Sequence, residues 1–142
     1  PEDFEVPFGK ARIRREGTDL TMITYGNTTH FCLSVAERLA KEGGWSVEVI
    51  DIRSLIPLDK ETIFESVKKT SKALVVHEDK VFSGFGAEVA ANIGTEMFRH
   101  LDAPVRRVGS TFTPVGFHPA LERAILPDEE KIYAAAKELL EY

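Results

Sequence analysis

Short apolar runs rich in β-branched residues alternate along the chain with longer stretches in which apolar residues recur every three or four positions. Leu20-Thr21-Met22-Ile23-Thr24-Tyr25 is the first such run, and its stop at Gly26 is that of a buried parallel strand. Thr28 or Thr29 then caps a helix whose Cys32, Val35, Ala36 and Leu39 form one stripe, closed by Gly43-Gly44. Val47-Glu48-Val49-Ile50-Asp51-Ile52 predicts a second strand, Pro57 favours an extended Ile56, and Asp59 caps a helix with Ile63, Phe64 and Val67 inward. Ala73-Leu74-Val75-Val76 predicts a third strand that ends at His77-Glu78, and a glycine-containing turn leads into a helix with Val89, Ile93 and Met97 on one side. Val105-Arg106-Arg107-Val108 predicts another strand. With Pro114, Gly116 and Pro119, the segment after Gly109 reads mainly as loop. Pro127-Asp128 opens a last helix: Asp128, Glu129 and Glu130 suit the positive end of its dipole, and Ile132, Tyr133, Ala136, Leu139 and Leu140 form its buried side.

Strands and helices alternating over short connections predict a three-layer α/β/α domain with a mostly parallel sheet, because parallel crossovers place helices on both sheet faces. Ala11-Arg12-Ile13-Arg14 adds a charged edge strand ahead of it. Residues 1–15 are thus expected to be a linker with that edge strand, and residues 16–142 the domain. The length of 142 residues, 43% of them hydrophobic, is that of one ordinary domain.

Charge and cysteine content narrow the function classes. With 23 acids against 18 bases the formal charge is −5, and a phosphate backbone would find no basic face, so nucleic acid is not an expected partner. No apolar run approaches the ~20 residues that span a bilayer, and the start of the chain shows neither a basic region nor an apolar stretch of signal-peptide type. The expectation is a soluble intracellular protein.

Candidate chemistry is sparse. His77 and Glu78 fall where open α/β sheets present functional groups; they either contact a partner or ligand, or bond to nearby loop backbone and position the next helix. Gly84-Phe85-Gly86 lacks the third glycine of a dinucleotide fingerprint, since Val89 stands there, and reads as a turn and helix cap. His30, His100 and His118 are scattered without a metal-ligand spacing. Cys32 sits on an apolar helical stripe, as a core residue does. Ser34 lacks a nucleophile elbow.

In order along the chain, Pro7-Phe8-Gly9-Lys10-Ala11, Gly17-Thr18-Asp19-Leu20-Thr21, the block Glu48-Val49-Ile50-Asp51-Ile52-Arg53-Ser54-Leu55-Ile56-Pro57-Leu58-Asp59, Ser66-Val67-Lys68-Lys69-Thr70, His77-Glu78, Gly84-Phe85-Gly86-Ala87-Glu88 and Leu101-Asp102-Ala103-Pro104-Val105 resemble a known family. It is the transketolase C-terminal domain as found in β subunits of 2-oxo acid dehydrogenases. The resemblance implies an assembly domain of an enzyme that decarboxylates a 2-oxo acid on thiamine diphosphate and acylates a lipoyl group, with cofactor and magnesium bound outside this chain. It also implies an α part and a second β part as partners, in the cytoplasm or, in a eukaryote, the mitochondrial matrix.

The family's pattern assigns two positions more closely. The acid of the Leu-acid-Ala-Pro block is Asp102 here, and with the C-terminal residue, Tyr142, the resemblance implies a dock for the basic peripheral subunit-binding domain of the lipoyl acyltransferase. Branched-chain members tend to keep the His77-Glu78 pair, which favours 2-oxoisovalerate as substrate. Pyruvate is the alternative. A noncatalytic α/β protein-binding module and a transketolase-like synthase without a lipoyl partner are the competing classes.

Overall fold

A computed structural model describes residues 5–142, so the start of the expected linker, residues 1–4, lies outside the described residues. The strands are β1 (Arg12–Arg15), β2 (Leu20–Thr24), β3 (Val47–Asp51), β4 (Ala73–Lys80) and β5 (Arg106–Ser110). The helices are α1 (Thr28–Gly43), α2 (Lys60–Thr70), α3 (Phe85–Glu96), α4 (Pro119–Ile125) and α5 (Glu129–Leu140). The strands form one sheet in the order β1-β3-β2-β4-β5. β2, β3, β4 and β5 run parallel, and β1 joins β3 antiparallel at one edge.

Period-two alternation sorts the strand residues onto the two sheet faces. Leu20, Met22, Val47, Val49, Leu74 and Val76 meet Cys32, Val35, Ala36 and Leu39 of α1 and Ile132, Ala136, Leu139 and Leu140 of α5. On the other face Ile23, Ile50, Ala73 and Val75 meet Ile63 and Val67 of α2 and Val89 and Ile93 of α3. This is the three-layer α/β/α arrangement that the sequence predicts, and all three strands at the centre of the sheet are enclosed because helices cover both sides.

Three local expectations are corrected. Neither Thr28 nor Thr29 caps α1: Asn27 precedes it, and the Thr28 hydroxyl instead bonds the Tyr25 carbonyl at 2.8 Å and pairs with the Thr24 hydroxyl at 2.7 Å. β4 does not end at His77-Glu78 but continues to Lys80, because Ser110 of β5 pairs with Lys80 across a register shift. The segment after Gly109 contains α4, where His118 caps through its ring Nδ1 accepting from the Ala120 N–H and Pro119 takes the first helical position. Asp59 caps α2 as predicted, accepting from the Thr62 N–H, and Asp128, expected only to suit the dipole of α5, also caps it by accepting from the Lys131 N–H.

One buried acid ties the start of the domain to this framework. Glu48 is fully enclosed on β3 and accepts from the Gly17 N–H, the Ser66 hydroxyl and the Lys69 ammonium. Gly17 is required there, since a Cβ would lie 2.2 Å from the Glu48 nitrogen.

Candidate functional site

After β2 the chain crosses to α1 on one face, and after β4 it crosses to α3 on the other. The carboxyl ends of β2 and β4 therefore flank a topological switch point, where open α/β sheets form their crevices. Tyr25 stands at the end of β2, and His77 and Glu78 stand on β4.

Neighbours on a strand point to opposite faces, and here that separates the two candidate residues. Glu78 turns toward α1 and lines a crevice of about 270 Å³ with Asn27, Phe31, Glu122, Arg123, Leu126, Pro127 and Asp128. His77 turns toward α3 and is completely buried. Its ring lies parallel to that of Tyr25, with centroids 6.3 Å apart. Gly86 of α3 and Gly109 of β5 make room for it: a Cβ on Gly86 would lie 2.1 Å from Nε2, and one on Gly109 would lie 3.2 Å from it. Neither ring nitrogen finds a hydrogen-bond partner. Burial pushes the His77 pKa down, opposed by the Asp79 carboxylate and reinforced by the Arg107 guanidinium. The imidazole thus fills a slot between Gly86 of α3 and Gly109 of β5.

A second concavity lies along the outer side of β5. Asp102 and Tyr142, far apart in sequence, line the same groove of about 800 Å³. One wall is the small-residue side of α3, with Ala87, Ala90, Ala91 and Gly94 at helical spacing, and Phe98, Pro104, Val105 and Arg107 complete it. The Asp102 N–H donates to the Ser71 carbonyl at 2.8 Å, which fixes its backbone while the residue stays exposed. The Lys72 ammonium donates to the Leu140 carbonyl at 3.2 Å, holding the end of α5 beside it.

These surroundings do not fit a diphosphate. The crevice sets three acids, Glu78, Glu122 and Asp128, against one base, Arg123, and the N-terminus of α3, where an anion would bind, already has its Phe85 N–H bonded to the Asp79 carboxylate at 3.2 Å. The Cys32 thiol is pushed up to about 12 by burial and is no nucleophile at neutral pH. Among the described residues no group of His, Cys, Asp or Glu is arranged to hold a metal ion, and no helix is long and apolar enough to cross a membrane.

Sequence reasoning singled out Asp102, Tyr142, His77 and Glu78 as candidates but not their surroundings. The companions of Glu78 come from α1, α4 and the start of α5, and the glycines that admit His77 belong to α3 and β5. Only Gly86 carried a signal, as part of a turn motif.

The fold is a three-layer α/β/α domain with a mostly parallel sheet and two concavities, one at the switch point and one beside β5. The chain belongs to the transketolase C-terminal domain family, which it matches over residues 9–132. It is 42% identical over 142 residues to the 2-oxoisovalerate dehydrogenase subunit beta of Bacillus subtilis (strain 168), covering 99% of this chain and 43% of that relative. It is 45% identical over 134 residues to the mitochondrial pyruvate dehydrogenase E1 component subunit beta-1 of Arabidopsis thaliana, covering 94% of this chain and 37% of that relative. Among solved structures, a split-gene transketolase described as an inactive beta4 tetramer superposes with a TM-score of 0.83 at 28% identity, covering 99% of this chain and 44% of that one. The chain thus spans less than half the length of these relatives.

Proposed function

We propose that this chain is the C-terminal assembly domain, residues 16–142 with residues 1–15 as the connecting segment, of the β part of a thiamine-diphosphate-dependent 2-oxo acid dehydrogenase acting on branched-chain substrates such as 2-oxoisovalerate. In that reading thiamine diphosphate with magnesium supplies the decarboxylation chemistry, held outside this chain, in the cytoplasm or mitochondrial matrix. The α part and a second β part complete the enzyme. This chain's contribution is to hold subunits together and to receive the acyltransferase.

The observation that carries the reading is the shared groove of Asp102 and Tyr142. An exposed carboxylate beside an apolar wall receives a basic helical domain in two ways. Asp102 accepts charge-assisted bonds from Lys or Arg and steers their approach, while the alanine face of α3 allows close backbone contact. The groove therefore suits the peripheral subunit-binding domain of a lipoyl acyltransferase. Titrating the assembled enzyme with that domain tests it: Asp102→Asn, which keeps the shape and removes the charge, is expected to weaken binding about tenfold, the effect of ~1.4 kcal/mol. Unchanged affinity rejects the groove as the dock.

Glu78, exposed in the crevice, is proposed as an interface residue, and His77 as the positioning residue behind it. Pyruvate is a second reading of the substrate, favoured by the 45% identity to a pyruvate dehydrogenase subunit. Turnover of the assembled enzyme, supplied with thiamine diphosphate and magnesium, on 2-oxoisovalerate against pyruvate separates the two.

A further inference from the structure

The exposed large apolar side chains are gathered at one end of the molecule. Apart from Ile13, Phe98 and Tyr142, those among the described residues all lie at the carboxyl end of the parallel strands. Phe8, 91% exposed, sits ahead of β1, and Leu55 and Ile56 follow β3. Phe82 follows β4, and Phe112, Val115 and Phe117 follow β5. Phe82 and Phe112 are 65% and 70% exposed and pack on each other, with centroids 4.7 Å apart, although they belong to different loops. The opposite end of the sheet is polar, with Asp19 accepting from the Ser46 N–H and Lys69 paired with Glu16.

Exposed apolar groups gathered at one end in this way mark an interaction site. From the end of β3 to the end of β5 is three strand spacings, about 14 Å, well within the reach of one partner domain. The chain itself arrives on this side. Arg12 of β1 pairs with Asp51 at the end of β3, the Gly9 N–H donates to the Ser54 hydroxyl at 3.1 Å, and the Ala11 N–H donates to Asp59 at 2.9 Å. A domain ahead of this one in a longer polypeptide is therefore held near this edge at high effective concentration. The relatives extend well beyond the part that this chain matches, and the matched family is a C-terminal domain.

We propose that the carboxyl edge of the sheet, from Phe8 and Ile56 across to Phe82 and Phe112, is the seat of the domain that precedes this one in the same polypeptide. The occupant presents an apolar surface, with basic side chains opposite Glu78 and Asp79, which stand between the two ends of the patch. This inference rests on family membership and not on the acyltransferase groove, which lies along the outer side of β5.

Photocrosslinking in the full-length, assembled enzyme tests it. p-Benzoylphenylalanine is placed at Phe112, at Phe8 or, as a counter-position, at Phe98 in the groove, and assembly is checked by size-exclusion chromatography. Chains grown in light and heavy nitrogen are mixed before assembly, so that mass spectrometry separates adducts within one polypeptide from those between two. Phe112 is the decisive position because it is distant from the point where the chain arrives. Adducts from Phe112 and Phe8 to the preceding domain, in unmixed isotope pairs and absent from Phe98, are the expected result. Adducts from Phe112 to another subunit, mixed isotope pairs, or no adduct from assembled enzyme would overturn it.

Discussion

At His77 two glycines and an aromatic ring decide what the residue is. A Cβ at Gly86 would lie 2.1 Å from both Cδ2 and Nε2 of a ring that is fully enclosed and stacked on Tyr25. The imidazole cannot swing into solvent, so Gly86→Ala is expected to lose about 1–3 kcal/mol, the usual cost of overfilling a packed site. A lowered urea midpoint at unchanged slope checks this. The same burial has a pH consequence. The unfolded ring takes up a proton below about 6.5, whereas desolvation holds the folded one neutral to lower pH. The contribution of His77 is therefore fully present above that ordinary value and is lost as pH falls through it toward the lowered folded value. Replacing the ring by the non-titrating His77→Gln is expected to flatten the loss of stability as pH falls below the ordinary histidine value of about 6.5, measured by urea unfolding; an unchanged slope would place the titration elsewhere.

Asp59 shows how one side chain holds two elements. It caps α2 through the Thr62 N–H and also accepts from the Ala11 N–H just before β1, so α2 and the edge strand share an anchor. Burial works against its charge, but the Ala11 and Thr62 bonds outweigh it and lower the pKa. The contribution is thus present at neutral pH and lost as pH falls through the depressed folded value. Asp59→Ala is expected to cost about 1–2 kcal/mol and to speed amide exchange in β1 more than in β5. Equal exchange in both strands would mean that the anchor does not hold the edge.

Most elements were legible because their signals are local. The apolar stripes of α1 and α5, the cap Asp59, and the runs of β2 and β3 all act within a turn or two of chain. The misses arose where a distant partner decided. β4 runs on to Lys80 because β5 offers it a pairing partner, which no property of Glu78-Asp79-Lys80 announces. α4 hides in a stretch whose prolines and glycine read as loop, yet His118 and Pro119 form a helix start and the Thr111 N–H donates to the Ile125 carbonyl at its far end.

For the whole molecule the formal charge of −5 matters less than where the acids lie. If Asp102 and its neighbours receive a basic domain at the surface, added salt screens the attraction over a Debye length of about 10 Å at 0.1 M. Affinity of the assembled enzyme for the subunit-binding domain is expected to fall severalfold between 50 and about 300 mM salt. Salt-independent affinity would point to the apolar wall of α3 rather than to the carboxylate.

Hydrophobic periodicity fixed the layered α/β architecture, since strands buried on both faces and helices with a single apolar stripe have few ways to cover one another. Motif order brought the family within reach, and with it Asp102 and Tyr142. Tertiary structure alone set those two residues beside the alanine face of α3, sent His77 and Glu78 to opposite faces of the sheet, and gathered Phe8, Ile56, Phe82 and Phe112 on one edge. The physical reason is that backbone period and helix stripe are local properties of the chain. Which side chains share a cavity depends on strand order and crossover direction, which join residues that the sequence keeps far apart.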